Sequence, residues 1–269
     1  MSTARDPLDE SLPAIRSRIF APAVMAPFAD DLAGRIARLT NGPLLEIMAD
    51  VGTLTQAVVA SVSTDMSVIA TEQNDALLVF AADKPGTARV SWRQAGPTAL
   101  SFEDGTFGIV ACLFGIAAVA DRVTALREAR RVLKPDGRLL FTVPAPLHLN
   151  PVVTAVHQAL GTLFGEAPPR YLASVLHGYG EPELIDDDLT RAGFTDAAYT
   201  VVDLPFSGRD AEAVALGYCL GTPLRLELQD RTDGRLGPAV NAVEAALRIR
   251  FGAGPIRSTM RGIVVSAAG

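Results

Sequence analysis

The feature that most constrains this chain is the strict alternation over residues 44–145. Short, apolar, β-branched runs, "LLEIM" (44–48), "SVIAT" (67–71), "ARVSWRQ" (88–94), "GIVACLF" (108–114) and "RLLFTVPA" (138–145), read as strands. Between them lie "TLTQAVVASV" (53–62), "NDALLVFAADK" (74–84) and "DRVTALREARRVLKPDG" (121–137), whose apolar positions recur at helical spacing. In the last of these Val123, Leu126, Ala129, Val132 and Leu133 share a face, Arg127, Glu128, Arg130 and Arg131 fall mostly on the other, and "KPDG" is read as the stop. Runs this short and apolar suit strands covered on both faces, and strand–helix alternation implies right-handed crossovers. The expectation is an α/β fold with a doubly wound, mostly parallel sheet. Two later strands, "AAYTVVDLPF" (197–206) and "MRGIVVSAA" (260–268), bring it to seven, the closing pair antiparallel at the sheet edge. Such sheets bind ligands beyond the carboxyl ends of their strands, which places the chemistry just after residues 48, 71, 95 and 114.

The rest of the chain is read around that core. Residues 1–43 are expected to form an N-terminal helical segment, 44–145 the ligand-binding core, 146–190 a helical cap insertion, and 191–269 the strands and helices that complete one domain. The insertion is rich in Pro, Gly and aromatics and holds all three histidines. With 30 acidic against 24 basic side chains, a formal charge of -6, nothing favours a polyanionic partner, so nucleic acid is not expected. No window of about 18 unbroken apolar residues supports a membrane span. The N-terminus carries acids and prolines where a signal peptide has an apolar core. Cys112 and Cys219 show no metal-ligand spacing and read as reduced thiols. A cytoplasmic setting follows, with no metal.

The segment "ALSFEDGTFGIVACLFGIAAVADRVTALREARRVLKPDGRLLFTVPAP" resembles the entry to the fourth strand and the "R-E-x-x-RVLKPGG" helix of class I S-adenosylmethionine-dependent methyltransferases of the small-molecule type. The order of segments over residues 20 to 267 is similar too. This resemblance implies a Rossmann-like methyltransferase fold, S-adenosylmethionine as cofactor and a small-molecule substrate. It also implies roles for single residues. Glu46 orients the first loop, and Met48, Asp50 and Gly52 stand where the family's loop has glycines. Glu72, ending the second strand, matches the acid that holds the ribose hydroxyls, with Gln73 along the same edge. Gly96 stands where an aspartate commonly accepts from the adenine amino group. Leu113 and Phe114 run beside the cofactor.

Methyl transfer from a sulfonium is a direct displacement, so catalysis consists of aligning the nucleophile and, for weakly acidic oxygens, removing a proton. Histidine is the natural base near neutral pH. His148 and His177 are the candidate bases, and Tyr171 and Tyr179 the candidate walls of a substrate pocket. Asp186, Asp187 and Asp188 are read as a solvated helix start. Two functions stay open: a methyltransferase with a weakened cofactor site, or a domain that has left methyl transfer, as a repurposed enzyme or a non-catalytic partner of an active homologue. A homo- or heterodimer is compatible with both.

Overall fold

The computed structural model describes residues 7–39 and 42–269. An N-terminal run comprises α1 (Leu12–Ile15), a π-helix (Arg16–Met25) and α2 (Ala26–Ile36). The expected alternation follows: β1 (Leu44–Glu46), α3 (Thr53–Ser61), β2 (Val68–Glu72), α4 (Asp75–Ala82), β3 (Ser91–Gln94), β4 (Phe107–Leu113), α5 (Arg122–Val132) and β5 (Leu133–Pro144). The remainder adds α6 (Pro151–Phe164), α7 (Pro182–Ala192), β6 (Ala197–Gly208), α8 (Ala211–Leu220), α9 (Leu224–Arg231), α10 (Gly237–Phe251) and β7 (Ile256–Ala268). The sheet has seven strands in the order β3-β2-β1-β4-β5-β7-β6. β1 pairs in parallel with β2 and β4, β2 with β3, and β4 with β5, while β7 runs antiparallel to β5. The order reverses between β1 and β4, whose carboxyl ends therefore flank the ligand crevice of a doubly wound sheet.

One boundary differs from the sequence reading. The helix expected over 121–137 ends at Val132, and "LKPDG" belongs to β5. Leu133 is already extended (φ -74°, ψ 142°). Pro135 has no N–H to continue a helix, and it drives the residue before it toward extended backbone. The early entry into β5 is absorbed as a register shift, Phe107 pairing with Leu133 but Ile109 with Arg138.

The chain groups into two compact units. A sheet unit contains Phe28–Ala145, Tyr179–Val202 and Arg261–Gly269; a helical unit contains the residues up to Pro27, Pro146–Gly178 and Asp203–Met260. The stretch expected to form the cap is thus divided at Gly178. The sheet unit is centred on Leu45, Ile47, Val110, Phe141 and Val265, all fully buried. In the helical unit α10 packs on α6 and α8, and α8 on the π-helix.

The most family-like motif proves to be a structural clamp. Glu128 accepts the Leu100 N–H at 2.8 Å, while Arg131 donates to the carbonyls of Leu100 and Phe102, each at 2.8 Å. Arg131 also pairs with Glu128 at 2.8 Å and Asp104 at 2.7 Å. The pair ties the loop that feeds β4 to the helix that feeds β5, and the guanidinium holds the Glu128 carboxyl below its usual range. Arg131→Ala is expected to cost about 2 kcal/mol, because two carbonyls and two carboxylates lose their donor, and urea unfolding measures it.

Candidate functional site

Three of the four non-glycine residues with positive φ in the described chain stand beside the crevice: Met48 (φ 56°) and Asp50 (φ 55°) after β1, and Phe114 (φ 62°) after β4. Gly52 completes the first loop at φ 75° and N-caps α3. Left-handed backbone is unfavourable for side chains with a Cβ, more so for Met and Phe than for Asp. It persists only where the surroundings enforce it, and such strain collects at ligand sites. The loop therefore keeps the backbone shape that glycines serve elsewhere, although two of its three glycine positions carry side chains.

What enforces the shape is visible in the hydrogen bonds. The Asp50 N–H donates to Glu72 Oε2 and the Asn74 N–H to Glu72 Oε1, both at 2.9 Å. The Ala49 N–H bonds the Thr71 carbonyl and the Phe114 N–H the Thr142 carbonyl. Gly52 has its own reason for lacking a side chain, since a methyl there would lie 3.2 Å from Ala81 Cβ and 3.5 Å from the Trp92 ring. Gly115 is the opposite wall: a methyl on it would meet Cys112 Sγ at 2.8 Å, Met48 Cβ at 2.9 Å and Met48 Sδ at 3.0 Å. The Met48 side chain thus reaches across the switch point onto the backbone after β4.

The electrostatics are those of three crowded acids. Glu46, 2% exposed, is pushed up to about 8 by burial, with Asp50 and Glu72 adding to the rise. Burial also raises Glu72, against the pull of the loop N–H groups. Lys84 is lowered by burial while Asp50 draws it back up. Glu46 Oε2, Thr53 Oγ1 and Trp92 Nε1 are buried without a hydrogen-bond partner among the described residues. Trp92 and Lys84 did not emerge from the sequence as site residues; the lone tryptophan on β3 was the available signal.

The structure therefore brings together Glu46, Met48, Asp50, Gly52 and Glu72 at the ends of β1 and β2, with Leu113 and Phe114, both 5% exposed, ending β4. Gln73 and Gly96 are neighbours, a methyl on Gly96 lying 3.3 Å from Gln73 Oε1. The other candidates are placed differently. His148 is exposed in the turn Leu147–Leu149, and Tyr171 and His177 are buried, the His177 N–H donating to the Leu172 carbonyl. All three belong to the helical unit. Tyr179 belongs to the sheet unit, 1% exposed under the Arg122 guanidinium, which lies 4.3 Å from its ring centre and is held by Asp188 at 3.0 Å. Asp186 and Asp187 are likewise engaged, with the Tyr199 hydroxyl and Arg191.

Comparison with known proteins agrees with this fold. The ubiE/COQ5 methyltransferase family matches residues 30–204. A ubiquinone/menaquinone biosynthesis C-methyltransferase UbiE of Marinomonas sp. is 29% identical over 219 residues, covering 72% of this chain and 87% of its own. The YcgJ protein of Bacillus subtilis superimposes with a TM-score of 0.56 at 20% identity, over 89% of this chain and 97% of that one. A Haemonchus contortus phosphoethanolamine N-methyltransferase 2, solved with S-adenosylhomocysteine, gives 0.60 at 15% identity over all of this chain and 61% of its own. The [4+2]-cyclase SpnF gives 0.54 at 18% identity, over 90% of this chain and 80% of that one.

Proposed function

The chain belongs to the ubiE/COQ5 methyltransferase family of S-adenosylmethionine-dependent enzymes, and from that premise we propose that it transfers a methyl group to a small-molecule acceptor, with the cofactor held in the crevice between β1 and β4. The observation that carries the proposal is the strained loop: Met48, Asp50 and Phe114 all hold left-handed backbone at the two strand ends that flank the crevice. The donor set suits the cofactor. Its sulfonium and ammonium groups are cationic, and Glu46, Asp50 and Glu72 crowd three acidic side chains there, whose ionised forms a cation favours. Each Glu72 oxygen already accepts one loop N–H, and a carboxylate oxygen has a second lone pair for a ribose hydroxyl. When bound, S-adenosylmethionine supplies an electrophilic methyl group. The chain's own part is to hold and orient: Glu46 and Gly52 shape the loop, Glu72 and Gln73 take the ribose edge, and Leu113 and Phe114 exclude water. We place the protein in the cytoplasm. Among the described residues no helix is long and apolar enough to cross a membrane.

A specific observation favours a second reading. Met48 lies on Gly115 where the family's loop leaves room, and Asp50 adds a carboxylate beside it. On this reading the fold has kept its crevice but left methyl transfer, as a repurposed enzyme or as a non-catalytic partner of an active homologue. Calorimetry with S-adenosylmethionine and S-adenosylhomocysteine separates the two. Micromolar binding of both is expected; no heat at millimolar ligand on folded protein would leave the second reading standing.

A further inference from the structure

The helical unit contains a cavity of about 310 Å³ that has no part in the proposed methyl-transfer site. Its size falls at the lower end of the range for small-molecule pockets. It opens between the π-helix, the end of β6 and α8, and its wall is mostly apolar, with Phe20, Ala23 and Phe206 all nearly buried. Gly208 is required here, because a methyl on it would come within 2.2 Å of Val214 Cγ2, the side chain that closes one side.

Three observations point to a ligand. First, Tyr218 lines the cavity, 2% exposed, its ring edge-on to Phe20 with centres 5.3 Å apart. Burial pushes its phenol well up. A tyrosine joins an apolar ring to a polar tip, so a ligand in this cavity can lie against the one and hydrogen-bond the other. Second, the wall formed by Arg16–Met25 is a ten-residue π-helix with Pro22 inside it, closing on an Ala26 N–H to Ala21 carbonyl bond. Such wide turns are rare and recur at functional sites. Third, the rim is cationic in a chain of formal charge -6. Arg18 and Arg209 line it, paired with Glu10 and Asp210, and Arg257 donates to the hydroxyl of Ser207, also on the lining. Three guanidinium groups thus meet two carboxylates at the mouth of an apolar pocket.

We propose that this cavity binds a small amphiphile: an apolar body in the pocket, an anionic head at Arg18 and Arg209, and a polar atom within reach of the Tyr218 hydroxyl. Carboxylate and phosphate heads share that chemistry. The test uses the full chain and calorimetry with octanoate, octyl phosphate and octanol. Both anions are expected to bind, the tighter naming the head group, with octanol weaker by about ten-fold, the worth of one charge-assisted hydrogen bond. The exposed double variant Arg18→Glu with Arg209→Glu is expected to abolish the preference for the anions while leaving the melting temperature near that of the parent. Tyr218→Phe, which keeps the ring, is expected to weaken the anions several-fold, and Ala23→Phe to abolish binding by filling the pocket. Octanol binding as tightly as octanoate, an unchanged preference in the folded arginine variant, or no heat from either anion at millimolar concentration would each overturn the proposal.

Discussion

Exchanging Asp50→Gly together with Gly96→Asp should tighten S-adenosylmethionine binding by about ten- to a hundredfold, the worth of one charged hydrogen bond. The structure shows why the exchange can be accommodated. Asp50 engages Glu72 through its backbone N–H, so glycine keeps that bond. At φ 55° glycine also sheds the left-handed penalty, about 1 kcal/mol or less for an aspartate. A Cβ at Gly96 meets only Gln73 Oε1 at 3.3 Å, the end of an exposed and flexible side chain that can turn aside. Because one aspartate leaves and one arrives, the formal charge stays at -6, so a gain reflects placement of the acceptor and not overall attraction. The single variants divide the effect: Asp50→Gly reports the room gained near the loop, and Gly96→Asp the acceptor offered to an adenine amino group. A folded double variant that binds no tighter would mean that positions 50 and 96 do not face the two ends of one ligand.

Much of the sheet unit is legible in the sequence, and the reason is physical. β1, β2 and β4 are short, mostly buried runs, and α3 and α5 carry a repeat with one buried face, so local pattern and tertiary environment agree there, while β3 is recognised from its place in the alternation although it is polar and mostly exposed. Agreement fails at residues 133–137, where local spacing continues the helix and Pro135 forbids it. The grouping of the helical unit is less legible. Arg16 bonds the Gly221 carbonyl, and Gly217 lets α8 close on Ile19, contacts about 200 residues apart that no local period encodes. At the site, Asp50 in left-handed backbone is foreseeable because its short polar side chain tolerates that region. Met48 and Phe114 are not, since their conformation is imposed by the β1 and β4 ends and by the contact of Phe114 with Phe28, ring centres 5.1 Å apart. A sequence scan for glycines reads position 48 as a lost loop. The backbone retains the loop and changes only its lining.

Glu46→Gln is expected to stabilise the protein at pH 8 and to do little at pH 5. Glu46 has its carboxyl pushed up to about 8, first by burial and then by Asp50 and Glu72. In the unfolded chain it titrates near the ordinary glutamate value, about 4.3. Below that value both states hold the proton, and Glu46 contributes its full stability. Between the two values the unfolded chain releases a proton that the folded chain keeps, so folding loses stability as pH rises, and the loss is complete above about 8. For a shift of this size the cost reaches several kcal/mol, on the order of 1.4 per unit. Glutamine cannot ionise and escapes it. Its amide inherits an orphaned position, since Glu46 Oε2 has no partner among the described residues, but the protonated acid has the same defect and the two cancel at low pH. Melting temperatures of parent and variant should therefore lie close together at pH 5 and separate steadily toward pH 8, the variant higher. Parallel curves would show that Glu46 is ionised throughout that range. The same proton links folding to binding. A cationic ligand beside Glu46, Asp50 and Glu72 favours the ionised acid, so affinity for S-adenosylmethionine should climb over the pH interval in which the parent loses stability, and stay flatter in the glutamine variant.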